Sequence, residues 1–360
     1  MRIAYVSAHY APFIGGVESH IGQIARRAAD RGHDVAVLTH QEPQPRPNRE
    51  AIDGVWVRRF SVPVQSRSYA FSPQLWAYLA RFSDRYDVVH AHGYHALPAL
   101  AASLFKQTDL VFTPHYHGSG HSSFRKLLHP PYRNVGRLIF ERADRTIAVS
   151  APEAELILRH FPETQPRLVV IPNGVDRQLL SEAQPFPVPE TVVLSAGRIE
   201  TYKQVDKTVA ALAHLPDEFV LRVTGDGAAR AHAESIATDS GVRKRVEFLG
   251  LVSDEDLYRW FRTARVYVSM SSNEAMPVTL IECLAAGARV VASDIPAHRD
   301  LVTKTGGAIT LVPLDSDPRT IADAILVRAR EPATSPRIDT WDEITDRTLD
   351  LYRDVGGHRG

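Results

Sequence analysis

Short segments rich in Val, Ile and Leu alternate with longer stretches of helical period along almost the whole chain, and this rhythm runs twice. In the first half, strands are predicted at 2–7, 34–39, 87–91, 110–113, 145–149 and 168–171. Between the first two, the turn HYAPFIGG leads into a stretch with apolar Val17, Ile21, Ile24 and Ala28 that ends near Gly32. Strands that are apolar on both faces and separated by helices form parallel sheets covered on both sides. The stretch AQPFPVPE at 183–190 has three prolines and neither period, which predicts a linker. The rhythm resumes with strands at 191–196, 219–224, 246–249, 266–269, 289–293 and 309–312. A last helix is predicted over 341–355 from Trp341, Ile344, Thr348, Leu351 and Val355. The 360 residues exceed what one core usually supports. The fold class expected is α/β, with two Rossmann-like doubly wound domains over 1–182 and 191–340, the 341–355 helix packing back on the first.

Composition narrows the function. Lys plus Arg and Asp plus Glu number 42 each, which argues against nucleic acid as a partner. Cys283 is the single cysteine, so a disulfide within the chain and a thiolate zinc site are excluded, and a reducing cytoplasm is the expected location. No run approaches a membrane span, and MRIAYVSAHY enters a strand without a signal-peptide pattern, so a soluble protein is expected.

The segment NEAMPVTLIECLAAG says most about chemistry. Pro277 suits the first position of a helix, which makes Met276 the expected N-cap. Methionine has no capping oxygen, so the N–H groups near Val278 and Thr279 are left for an external anion that the helix dipole favours. A phosphate fits there. Glu282, about one turn on, can accept a ribose diol, and Glu274 can accept hydroxyls of a second ring. The segment therefore reads as a holder for a nucleotide sugar.

Further pieces occur in a fixed order: GGVESH at 15–20, DVVHAHG at 87–93, TPHYHG at 113–118, IPNGVD at 171–176, SAGRIETYK at 195–203, VTGDG at 223–227 and VEFLG at 246–250. With the paired glutamates, the chain resembles the retaining glycosyltransferases of family 4 over nearly its whole length. That resemblance implies the GT-B fold, two Rossmann-like domains facing each other across a cleft, with the donor held mainly by the second domain. Arg198 and Lys203 match the family's diphosphate-binding pair, a guanidinium fork and an ammonium suited to a leaving group of growing negative charge. Gly15 and Gly16 match a backbone cradle at the first helix, and Phe248 and Leu249 lie where the family contacts the base. His115 matches a histidine near the donor sugar. His117 is its rival, and alternation along an extended strand would turn the two to opposite faces.

Seven histidines lie between His90 and His129, but no carboxylate or cysteine partner stands at matching spacing. The resemblance implies no metal or other cofactor. The pair Asp315 and Asp317 reads as a helix cap before Pro318. Two departures stand out: Gln204 replaces a usual glycine, and Ala275 replaces the glycine that often follows the first glutamate.

The expectation is a metal-independent, retaining hexosyltransferase that moves a sugar from UDP (first choice) or GDP to an acceptor hydroxyl. No carboxylate presents itself as a covalent nucleophile, so a front-face route is expected, with the leaving phosphate taking the acceptor proton. The acceptor would be a small molecule, a saccharide or a lipid-linked sugar. A nucleotide-sugar epimerase or a non-catalytic nucleotide-sugar-binding protein could carry the same motifs. The basic segment 122–145, with Phe124, Leu127, Leu128, Leu138, Ile139 and Phe140, is a candidate for peripheral membrane contact, against the alternative of a helix with its apolar side in the core.

Overall fold

The computed structural model describes residues 1–356 except 14, 43–45, 64–69, 119–122 and 335, and without the side chains of 123–132. The chain forms two compact units, Met1–Asn173 with Trp341–Gly360, and Gly174–Thr340.

The first unit is built on an eight-stranded sheet: β1 (Arg2–Val6), β2 (Asp34–His40), β3 (Arg49–Ile52), β4 (Val55–Phe60), β5 (Val88–His92), β6 (Asp109–Thr113), β7 (Arg145–Ala148) and β8 (Leu168–Val170). Their order is β3-β4-β2-β1-β5-β6-β7-β8, all parallel except the β3–β4 pair. Ile3, Ala4, Tyr5 and Val6 have no exposed surface because helices cover both faces. The β3–β4 hairpin is absent from the sequence reading. Its turn, Asp53-Gly54, takes positive φ at both residues, 48° and 78°, the twist that short hairpins need.

The terminal helix, Trp341–Gly356, belongs to this unit and lies along the helix Gly16–Asp30. Trp341, Ile344 and Tyr352 are buried in it, and Arg27 and Arg31 of the earlier helix bond Asp342.

The second unit has six parallel strands: β9 (Thr191–Ala196), β10 (Phe219–Thr224), β11 (Val246–Gly250), β12 (Val266–Ser269), β13 (Arg289–Ser293) and β14 (Ile309–Val312). The order is β11-β10-β9-β12-β13-β14. The chain leaves β9 toward one edge and β12 toward the other, so their C-terminal ends open a crevice within this unit.

One expected boundary is corrected. The chain passes between units at Asn173–Gly174, not within the proline-rich stretch. Leu180 is buried in the second unit's core, and Phe186 and Val188 pack on it. Phe186 lies 4.4 Å from the Trp260 ring with the Arg259 guanidinium 3.8 Å above it. The prolines make this segment an extended strap rather than a free linker.

The proline-rich stretch at 41–48 falls partly on residues outside those described. In the basic segment the helix runs Ser123–Arg142. Phe124, Leu127 and Leu128 lie outside the described side chains, while Ile139 and Phe140 are fully buried in the core. Among the described residues, no helix is long and apolar enough to cross a membrane.

Candidate active site

In the second unit, the residues expected to hold the donor lie at the C-terminal ends of three strands. Gly197 follows β9 with φ 128°, a conformation that favours glycine. The turn it opens is locked against the next loop: Ile199 N–H donates to Asp226 O at 2.9 Å and Ala229 N–H to Ile199 O at 2.9 Å. A Cβ at Gly225 or Gly227 would collide with the backbone of Gly197 or Ile199, which explains the glycines of VTGDG.

Arg198 is exposed, and its Nη2 donates to Tyr202 Oη at 3.3 Å. Lys203, expected with Arg198 at the diphosphate, also has a partner within the protein. Its Nζ donates to Glu274 Oε1 at 2.6 Å, with both side chains largely buried. Ser272 N–H donates to Tyr202 O at 2.7 Å and ties the two loops together. Burial pushes the Glu274 carboxyl up, but the Lys203 charge, its hydrogen bond and one from Ser271 outweigh that and leave it below the ordinary range. Burial likewise opposes the charge on Lys203, and Glu274 restores it, leaving its pKa raised. The pair is thus an ammonium carboxylate with two ammonium hydrogens left for another acceptor.

The paired-glutamate helix runs Val278–Ala285. Pro277 is its N-cap, not its first turn, and Met276 lies outside. With ψ at 94° Pro277 is still extended, while its carbonyl accepts from Leu280 and Ile281 N–H. The consequence for an anion is unchanged. No side chain caps this end, and among the described residues the Val278 and Thr279 amides donate to no acceptor. Thr279 Oγ1 is held by Tyr267 Oη at 2.9 Å. Glu282 is buried with no hydrogen bond among the described residues. Burial, followed by Asp254 and Asp176, pushes its carboxyl up to about 8. Ala275 is buried, its methyl beside Glu274 in the chain. Phe248 and Leu249 lie on the edge strand β11, with the Arg230 guanidinium 5.7 Å from the Phe248 ring.

In the first unit, Gly15 is the N-cap of the helix that begins at Gly16. The Glu18 carboxylate of the helix's own first turn lies beside Gly15, where a Cβ would meet its Oε2, while Gly16 is exposed with nothing near it and no side chain caps this end.

His115 follows β6 but does not continue it. The strand ends at Thr113, and His115 takes φ 48°, so alternation does not decide between it and His117. The turn is clamped by a residue the motifs did not suggest. Glu153, buried on the next helix, accepts Tyr116 N–H at 2.5 Å and Val149 N–H at 2.6 Å. Burial raises the Glu153 carboxyl to about 7 despite those bonds.

Beside His115 stand His92, at the end of β5, and His20, from the first helix. Ring centroids lie 5.8 Å from His115 to His92, 5.3 Å from His115 to His20, and 5.5 Å from His20 to His92. His20 Nδ1 meets Asn173 Oδ1 at 2.7 Å. Burial lowers the His20 pKa to about 4 and puts His92 and His115 well below the ordinary value, so all three are neutral. Both ring nitrogens of His92, and Nε2 of His115, are enclosed without a hydrogen-bond partner among the described residues. Each such orphan costs on the order of 1–3 kcal/mol.

Two family profiles match in succession: "Glycosyltransferase Family 4" over residues 14–179 and "Glycosyl transferases group 1" over residues 176–327. The chain belongs to glycosyltransferase family 4. This family 4 chain is similar to the D-inositol 3-phosphate glycosyltransferase of Xylanimonas cellulosilytica, 29% identical over 98% of this chain and 96% of the relative. Among solved structures it is similar to sucrose-phosphate synthase from Thermosynechococcus elongatus, with TM-score 0.76 and 22% identity over 99% of both chains. It is also similar to Anabaena HepE in complex with UDP-glucose, with TM-score 0.74 and 17% identity over 99% of both. The fold is GT-B, and the protein is a glycosyltransferase.

Proposed function

We propose that this protein transfers a hexosyl group from a nucleoside diphosphate sugar to an acceptor hydroxyl with retention of anomeric configuration and without a metal ion. The observation that carries the reading is the open helix start at Val278 and Thr279, in the same unit as exposed Arg198, the Lys203–Glu274 pair and the unpartnered Glu282 carboxyl group. The amides and Arg198 would take the diphosphate, Glu282 the ribose diol, and Glu274 the sugar hydroxyls. As the bond from the anomeric carbon to the diphosphate oxygen breaks, the acceptor oxygen bonds that carbon and its proton passes to the departing phosphate. Lys203 and Arg198 offset the charge that builds on the leaving group.

UDP is the first nucleotide to test, since a protein of like fold has been solved with UDP-glucose, and GDP is the second. The acceptor is assigned to the first unit, which also supplies His115. The relatives named for inositol 3-phosphate make a phosphorylated cyclitol the first acceptor to try, ahead of saccharide and lipid-linked hydroxyls.

A thermal-shift screen of nucleotide sugars, followed by NMR of the product anomer, tests the reading. Stabilisation by one donor and a product of unchanged anomeric configuration are expected. An isomerised sugar nucleotide formed without acceptor would replace the reading with epimerisation, and donor binding with no turnover against any acceptor would leave a binding protein. His115→Ala should lower transfer severely, and full activity in that variant would remove His115 from its role.

A further inference from the structure

Histidines cluster at the C-terminal edge of the first sheet, where the strand order turns around β1 and β5. His92 closes β5, His115 sits just past the adjacent β6, and His20 comes over from the helix that follows β1. One ring nitrogen from each lies within 4.8 Å of the other two.

His92 is 1% exposed, and neither of its ring nitrogens has a partner among the described residues. A buried neutral imidazole needs one acceptor and one donor, and an orphaned pair asks what else fills the place. The neighbouring His90 shows the contrast: its Nδ1 meets Tyr352 Oη at 2.6 Å and its Nε2 meets Thr113 Oγ1 at 2.8 Å, so it has nothing left to offer. His20 is arranged as a ligand is. With Nδ1 held by Asn173 Oδ1, its proton stays on that nitrogen and the Nε2 lone pair is free to coordinate. His115 holds a left-handed backbone, rarely adopted by a residue with a side chain, that sets its ring beside the other two. Trp341 closes the far side of His20 at 5.7 Å, edge-on.

We propose that His20, His92 and His115 bind one divalent transition-metal ion of the zinc, cobalt or nickel type, through three imidazole nitrogens, with a water completing a tetrahedron. Three neutral nitrogens with one open position suit such ions and not magnesium or calcium, which prefer oxygen. A zinc ion holds nitrogens at about 2.0–2.1 Å, hence roughly 3.4 Å apart in a tetrahedron. The three rings therefore need to close in by roughly 0.8 Å each, within reach of small side-chain rotations. Sequence spacing alone hides the site, because His20 lies far along the chain from the other two.

The site does not depend on the reading of sugar transfer. It bears on it through His115, whose nitrogen cannot serve an ion and a substrate together, so zinc should inhibit transfer and chelation restore it.

The test uses the full chain without a histidine tag, stripped by chelator and titrated with Zn²⁺ by calorimetry and with Co²⁺ by visible absorption. About one ion per chain and the intense visible bands of tetrahedral Co²⁺ are expected. His92→Gln should abolish both, and Asn173→Ala should weaken binding by about 10- to 100-fold. The same binding in His92→Gln overturns the proposal. Should that variant fail to fold, the parent spectrum decides: weak octahedral cobalt bands, or no saturable zinc binding, overturn it equally.

Discussion

The two helix starts expected to hold phosphate obey the same local physics and end in opposite states. At Gly15 the helix brings Glu18 back over its own first turn, so a carboxylate already lies at the positive end. At Pro277 the first turn, Val278 to Ile281, carries no acid and the cap has no side-chain bond, so the amides stay open. A glycine pair therefore says that a backbone can approach an anion. The residue three positions on says whether the protein has already supplied one.

The sharpest way to break this contrast is at the cations beside the open end. Arg198→Ala should lower kcat/KM by about 100- to 1,000-fold, with little change in stability because the side chain is exposed. Lys203→Ala should combine a comparable loss of transfer with about 3 kcal/mol of destabilisation, since it leaves Glu274 buried without its charge partner. Normal turnover in Arg198→Ala would mean that the open helix end is not a phosphate seat.

The carboxylate inside the open helix gives a pH signature. Glu282 titrates near 8 when folded, against an ordinary value of 4.5. Between those values the folded state keeps a proton that the unfolded chain has lost. Its stabilising contribution is full below about 4.5 and falls as pH rises, by about 1.4 kcal/mol per pH unit at the steepest, until it is gone above about 8. Glu282→Gln should flatten that part of the stability profile. If the ribose diol donates to the ionised carboxylate, nucleotide binding at pH 7 should release a proton, visible as a dependence of binding heat on the buffer. A buffer-independent heat would count against the diol assignment.

Smaller effects sharpen the covered end. Glu18→Gln should cost about 0.3–1 kcal/mol through the helix dipole, and sulfate should then stabilise the variant more than the parent. Equal sulfate responses would show that Glu18 does not shield Gly15. Smallest of all, Gln204→Gly should raise stability by about 1 kcal/mol, because Gln204 sits at φ 49° with no capping bond. A chemical denaturation midpoint measures it.

That last position shows why some of the molecule was legible and some was not. The replacement of glycine by Gln204 was visible in the sequence, but not that the backbone there is left-handed, so its cost was hidden. The parallel strands were readable because burial on both faces makes them continuously apolar. The β3–β4 hairpin was missed because the short, half-exposed β3 at the sheet edge carries little of that signal, although Asp53-Gly54 marked its turn. The charged residues of the second unit follow strand ends within short motifs, so the resemblance pointed to Arg198 and Lys203 and the helix-start reading to Glu274, yet neither showed the Lys203–Glu274 ion pair. His20, His92 and Glu153 escaped for another reason. Their neighbours come from separate strands and helices, and only the folded sheet brings them together.

The second unit begins and ends at one place: Val175 N–H donates to Asp339 O at 3.0 Å. Residues 174–340 are therefore an insertion with joined ends, while the first unit is interrupted and waits for Trp341 and Tyr352 from the tail. Without that tail the inserted body has all of its own residues while its host lacks a wall. A chain truncated after residue 340 should thus carry a protease-resistant second half and a vulnerable first one.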